Sequence, residues 1–276
     1  EDLALGEAWA KAKGCDPKDL ACLRALPLER LLPEEPGLEA MGRFLSNPSL
    51  FRTGPFKPHL SPFLLPQDPR EALREGKAAG IPLIAGANAE EVAFPSLQAL
   101  LGPGDWEEAE RRLLESGLSR EKAQALLAHY RKGVPDPKRA WGEVQTDLTL
   151  LCPSLKAARL QAPHAPTYAY LFTFRAPGWE GLGAFHGLEL APLFGNLLER
   201  PFLPLFLRQE AQEEAEYLGK KMRRYWTSFA KDGEPKGWPR WPLYREGHLL
   251  RLDVPLGLLP DLYEERCGAL EVLGLL

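Results

Sequence analysis

Ile81-Pro82-Leu83-Ile84-Ala85-Gly86-Ala87-Asn88-Ala89-Glu90-Glu91 is the stretch on which the fold turns. Its opening, Ile81 to Ala85, is a short apolar run set between a helical segment ending at Gly80 and the polar Asn88. Such a run suits a strand buried on both faces, as in a parallel sheet. Two carboxylates follow at once. In open α/β sheets the reactive groups sit on loops just beyond the carboxyl ends of strands, so Glu90 and Glu91 stand where chemistry is expected.

Working outward, a second strand is expected from Thr167 to Arg175, where Tyr168, Tyr170, Phe172 and Phe174 alternate. A glycine-rich loop, Gly183-Ala184-Phe185-His186-Gly187-Leu188-Glu189-Leu190, comes after it. A carboxylate beyond one strand and a histidine beyond a later one is the chain order of α/β-hydrolases, in which the nucleophile comes earlier still. Since both loops follow strands of one sheet, a carboxylate of the pair Glu90 and Glu91 is expected within hydrogen-bonding reach of His186.

Helical signals fill the intervals. Asp16-Pro17 reads as an N-cap and first helical position for a helix through Leu23, and Asp68-Pro69 as the start of one ending at Gly80. From 105 to 162 the pattern is helical, with Asp105 and Glu108 as a capping-box-like start. The longest helix is expected at 208–231, where apolar residues recur at steps of three and four until Gly233 stops it. A hairpin-like tail with a strand from Leu249 to Leu256 closes the chain. Residues 47–69, rich in proline and poor in periodicity, read as a long irregular segment. Helices alternating with short buried strands indicate α/β layering, parallel-type strands flanked by helices.

Composition narrows the function. Of 276 residues 45% are hydrophobic and 26% charged, enough for a packed core. A net charge of −4 with interspersed signs argues against nucleic acid as a partner. No apolar run reaches membrane-spanning length, so no membrane is expected either. The four cysteines, at 15, 22, 152 and 267, read as buried small apolar residues, with a Cys15–Cys22 bridge as the alternative for the first two. His186 and Glu189 have a spacing seen at metal sites, but no further ligand cluster accompanies them, so neither metal nor cofactor is expected. Many prolines beside two methionines and three asparagines lean toward a thermophile or a GC-rich genome. The first methionine is Met41, so a processed leader or a larger upstream piece is expected; nothing resembles a signal peptide, and a cytoplasmic location is the expectation.

Gly86 to Glu91, Thr146-Asp147 with Pro153, Tyr168-x-Tyr170-x-Phe172, Gly183 to Glu189, Phe194-Gly195, Tyr225 to Pro235 and Trp238-Pro239 together resemble the type-B carboxylesterases, which include cholinesterases and bacterial para-nitrobenzyl esterases. The resemblance runs from about Cys15 to near the end of the chain. It implies that residues 1–276 are the C-terminal part of a single α/β-hydrolase domain. It makes Glu91 the acid and His186 the general base of a Ser-Glu-His triad, and places Glu189 in support of that triad. It also sets Phe94 and Phe185 against the substrate, core packing being the alternative for Phe94. The partners implied are small-molecule carboxylic esters and the N-terminal half of the same protein.

Three departures from the family pattern stand in the sequence. Val92 replaces the glycine that usually follows the triad acid. Pro58-His59-Leu60-Ser61-Pro62 lacks the Asp and Gly of the corresponding Pro-x-x-Asp-Gly. No Gly-x-Ser-x-Gly and no Gly-Gly occurs, so nucleophile elbow and oxyanion loop are both absent from these residues. None of the serines, Ser46, Ser49, Ser61, Ser96, Ser116, Ser119, Ser154 and Ser228, stands in such a context. An ester hydrolase is the leading reading because both Glu and His are kept. A catalytically inactive cholinesterase-like binding module, or a truncated fragment, is the alternative.

Overall fold

A computed structural model describes residues 2–31, 60–92, 102–199 and 203–276. Phe94, Ser46, Ser49, Ser96, Pro58, His59 and most of the proline-rich stretch lie outside the described residues. The chain divides into two compact units, Glu1–Asp68 and Pro69–Leu276.

In the first unit, helices cover Asp2–Ala12, Leu20–Ala25 and Leu28–Leu31. The helix expected from Asp16 begins later. The Asp16 carboxylate accepts from Lys18 N at 2.8 Å and closes a turn, and Asp19 caps the helix by accepting from Cys22 N at 3.0 Å. Cys15 and Cys22 are disulfide-bonded across that turn. Ser61 and Leu65 exchange main-chain hydrogen bonds of 2.8 and 3.1 Å.

The second unit is built on a four-stranded sheet in the order β1-β2-β3-β4. Its strands are Leu83–Asn88 (β1), Thr167–Phe172 (β2), His248–Leu252 (β3) and Gly257–Pro260 (β4). The first three run parallel and β4 pairs antiparallel with β3. Side chains alternate across the sheet as the period of two requires. Ala87, Ala169, Leu171 and Leu249 face one core, formed with helices Trp106–Glu115, Arg120–Gly133, Pro137–Thr146 and Cys152–Gln161. Tyr168, Phe172, Leu250 and Leu252 face the other, closed by the helix Gln209–Asp232. The result is a helix–sheet–helix sandwich.

Several boundaries differ from the sequence reading, each for a local reason. β1 begins two residues later and continues through Asn88, so the Gly-Ala-Asn of the motif is strand rather than loop. It is buried only at Ala87 and Asn88, because among the described residues it is the edge of the sheet. A Cβ at Gly86 would lie 2.4 Å from the Tyr170 main-chain oxygen and 2.5 Å from its ring, so only glycine permits this pairing. The helix opened by Pro69 stops at Arg74, followed by Gly76 at φ 71°, a conformation glycine adopts without penalty. The tail is two strands rather than one. β3 ends at Leu252, before Pro255, which has no N–H for a ladder. The long helix ends at Gly233, as its sequence implies.

The cysteine reading is corrected: the Cys15–Cys22 bridge, its alternative, is the one formed, and Cys152 and Cys267 are buried but not free. Cys152 and Cys267 form a second disulfide, and among the described residues no cysteine is free. They are 115 residues apart, so no local pattern marks the pair. The bond joins the start of the helix Cys152–Gln161 to the C-terminal turn Tyr263–Cys267.

Candidate active site

Beyond the end of β1 the chain turns so that consecutive carboxylates face opposite ways. Glu90 is held by the loop that follows β2. It forms a parallel bridge with Phe185, its N–H donates to Ala184 O at 3.1 Å, and its carboxylate accepts from Ala184 N at 2.7 Å. Arg175 neutralises it through an ion pair. Gly183 sits against this carboxylate at φ 67°; a Cβ there would come within 3.1 Å of it. Glu90 is a tie between two loops.

Glu91 points the other way and is 7% exposed. Its Oε1 accepts from the main-chain N–H of Asn88 at 2.7 Å, and its Oε2 lies 2.6 Å from Nδ1 of His186. A carboxylate partner at Nδ1 selects the tautomer with the proton on that nitrogen, which leaves Nε2 as the basic atom. The imidazole itself is 68% exposed. The bond to Glu91 raises the His186 pKa above its ordinary value; partial burial opposes this, and the charges of Glu91 and Glu189 reinforce it.

Glu189, three residues on, is half-buried and rests on the Asn88 side chain. Burial raises its pKa and the bond from Asn88 pulls the other way. Phe185 packs partly buried against the core that β2 shares with the long helix, and its main-chain oxygen accepts from Asn88 Nδ2 at 2.7 Å. Tyr170 lies beneath; burial first, then the charges of Glu189 and Glu91, push its hydroxyl pKa up.

Thr146 and Asp147, noted only as sequence marks, have structural work nearby. Thr146 Oγ1 accepts from Val92 N at 3.4 Å, and Val92, in place of the usual glycine, is buried. Asp147 accepts from Arg266 at 2.7 and 3.2 Å and from the Tyr130 hydroxyl at 2.8 Å. Burial pushes the Asp147 carboxyl up to about 6 against the pull of both partners. Among the described residues no three His, Cys, Asp or Glu side chains converge as a metal site.

Asn88 and Arg175 are the site residues that sequence reasoning passed over. Arg175 lies three residues beyond the end of β2 and carries no motif. Asn88 stood inside the quoted motif, and its polarity at the end of an apolar strand was the available signal.

A mostly parallel sheet between helix layers, with an acid after one strand hydrogen-bonded to a histidine after the next, defines an α/β-hydrolase. A profile of the carboxylesterase family matches residues 2–267, and the chain belongs to that family. Similarity to individual members agrees. The chain is 30% identical over 194 residues to para-nitrobenzyl esterase of Bacillus subtilis, covering 69% of this chain and 37% of that protein. It is 28% identical over 274 residues to liver carboxylesterase 1 of Oryctolagus cuniculus, covering 89% of this chain and 47% of that one. Among solved structures, a thermophilic para-nitrobenzyl esterase superposes with a TM-score of 0.70 at 27% identity, covering 97% of this chain and 53% of its own. A Geobacillus stearothermophilus carboxylesterase gives 0.69 at 26% identity, with 97% and 54% covered. The chain thus spans less than half the length of these two curated relatives.

Proposed function

We propose that this chain supplies the acid and the general base of a carboxylic-ester hydrolase, with the nucleophilic serine and the oxyanion donors coming from an upstream part of the same protein. The observation that carries the reading is the 2.6 Å bond between the buried Glu91 and Nδ1 of an otherwise open His186. In the complete enzyme Nε2 of His186 takes the proton of the serine hydroxyl as that oxygen attacks the ester carbonyl. It returns the proton to the departing alcohol, and the same base then activates water against the acyl-serine. Glu91 holds the tautomer and stabilises the imidazolium. Because this requires a positioned nucleophile and oxyanion donors, residues 1–276 alone are expected to be inactive.

The substrates proposed are small-molecule carboxylic esters, in keeping with the relatives' names. Two disulfides favour an oxidising compartment over the cytoplasm expected above, outside organisms that keep disulfides inside the cell.

The test is hydrolysis of para-nitrophenyl butyrate by the full-length protein and its His186→Ala variant. Turnover lost in the variant, with ester binding kept, supports the reading. Near-normal turnover without His186 refutes it, and a folded full-length protein that binds the ester without cleaving it indicates the inactive binding module.

A further inference from the structure

Asn88 is the last residue of β1 and is 1% exposed. A polar side chain so deeply buried must find partners or cost stability. Its Nδ2 finds two acceptors, the Phe185 main-chain oxygen at 2.7 Å and the Glu189 carboxylate. Its Oδ1 finds none among the described residues. Both neighbours of Nδ2 can only accept, so the orientation of the amide is fixed by its surroundings. Leucine would fill the volume with no orphaned oxygen. Aspartate would set a third acceptor against the other two. A short side chain with two N–H donors is what two converging acceptors require.

The two acceptors straddle the histidine. Phe185 precedes His186 directly and Glu189 follows three residues later. The main-chain N–H of the same Asn88 donates to Glu91 Oε1 at 2.7 Å. One residue therefore touches the acid and grips the base's loop on both sides.

We propose that Asn88 is a positioning residue that sets the separation of Glu91 and His186; this rests on the esterase reading of the site. It touches no reacting atom and acts through the Phe185 oxygen and Glu189. Removing its side chain leaves the bond from its main chain to Glu91 in place and frees only the histidine loop. The expected effect falls on the chemical step, since a small misplacement of a catalytic group costs up to about 100-fold in rate while the binding surface is unchanged.

The experiment measures para-nitrophenyl butyrate hydrolysis by the full-length protein and its Asn88→Ala, Glu189→Ala and double variants, with active sites counted by titration. Per titrated site, kcat should fall roughly 10- to 100-fold in Asn88→Ala while KM moves by less than about threefold. The double variant should lose less than the product of the single losses, because Asn88 acts partly through Glu189. A merely structural Asn88 would lower the number of active sites and leave kcat per site alone, and that result overturns the proposal. So do single losses that simply multiply. Should Asn88→Ala fail to fold, the unmodified protein decides: the Asn88 side-chain NH2 protons should exchange slowly and shift as His186 titrates. Fast exchange, or indifference to that titration, overturns it equally. His186→Ala separates the two claims. If that variant is inactive and Asn88→Ala is normal per site, only the positioning role falls; if His186→Ala is active, the esterase reading falls and takes the positioning role with it.

Discussion

At the scale of single residues, the chemistry turns on which form of His186 is present at working pH. A general base must be neutral, and the bond to Glu91 raises the His186 pKa above its ordinary value. The acidic limb of kcat/KM for the full-length enzyme should therefore lie above about 6.5, the ordinary histidine value. Glu91→Gln removes the raising partner, so the limb should move to lower pH while the plateau rate drops. A pH–rate profile of parent and variant checks this, and a limb that stays put in Glu91→Gln would assign it to another group. Glu189→Gln keeps an acceptor for Asn88 and removes one charge, so it should slow turnover less than His186→Ala. Much of the pair was legible in the sequence, because a carboxylate and a histidine each followed a strand within a motif. Asn88 was not, because what makes it more than a strand-end polar residue is partners 97 and 101 positions away.

At the scale of elements, the C-terminal turn Tyr263–Cys267 is fastened to the helix layer twice. Arg266 reaches the fully buried Asp147, and Cys267 is bonded to Cys152. Asp147→Ala would leave the largely buried Arg266 without its hydrogen-bonded carboxylate, a change that typically costs about 3–5 kcal/mol. Cys267→Ser opens a loop spanning 115 residues, for which chain entropy gives about 4–5 kcal/mol. Denaturant unfolding of the full-length protein should show both losses; a Cys267→Ser midpoint equal to the parent's under oxidising conditions would mean the disulfide contributes nothing. Neither fastening was readable locally. The positions of β2, the long helix and its glycine stop were, since each rests on short-range periodicity. β1 came out shifted because Gly86 to Asn88 look like loop residues until Tyr170 is seen packed over Gly86.

At the scale of the whole molecule, β1 is the edge of the sheet among the described residues, and the Glu91–His186 pair lies beyond the carboxyl end of that strand. On the proposed function, strands and a serine supplied from upstream extend the sheet there and complete the site. If separation left even about 1,000 Å² of apolar surface without its partner, the cost would be roughly 25 kcal/mol. That exceeds the ~5–15 kcal/mol by which domains are normally stable. Purified residues 1–276 are thus expected to lack a cooperative thermal transition, and a sharp one in the monomer would show that the upstream part is dispensable for folding. The most direct test of the central claim is a rapid-mixing measurement of para-nitrophenol release by the full-length protein. An acyl-serine path with His186 as base gives a burst approaching one equivalent per active site if deacylation is the slower step, and the burst rate collapses in His186→Ala. Hydrolysis in which the burst, or the steady turnover, is indifferent to His186 would contradict the account.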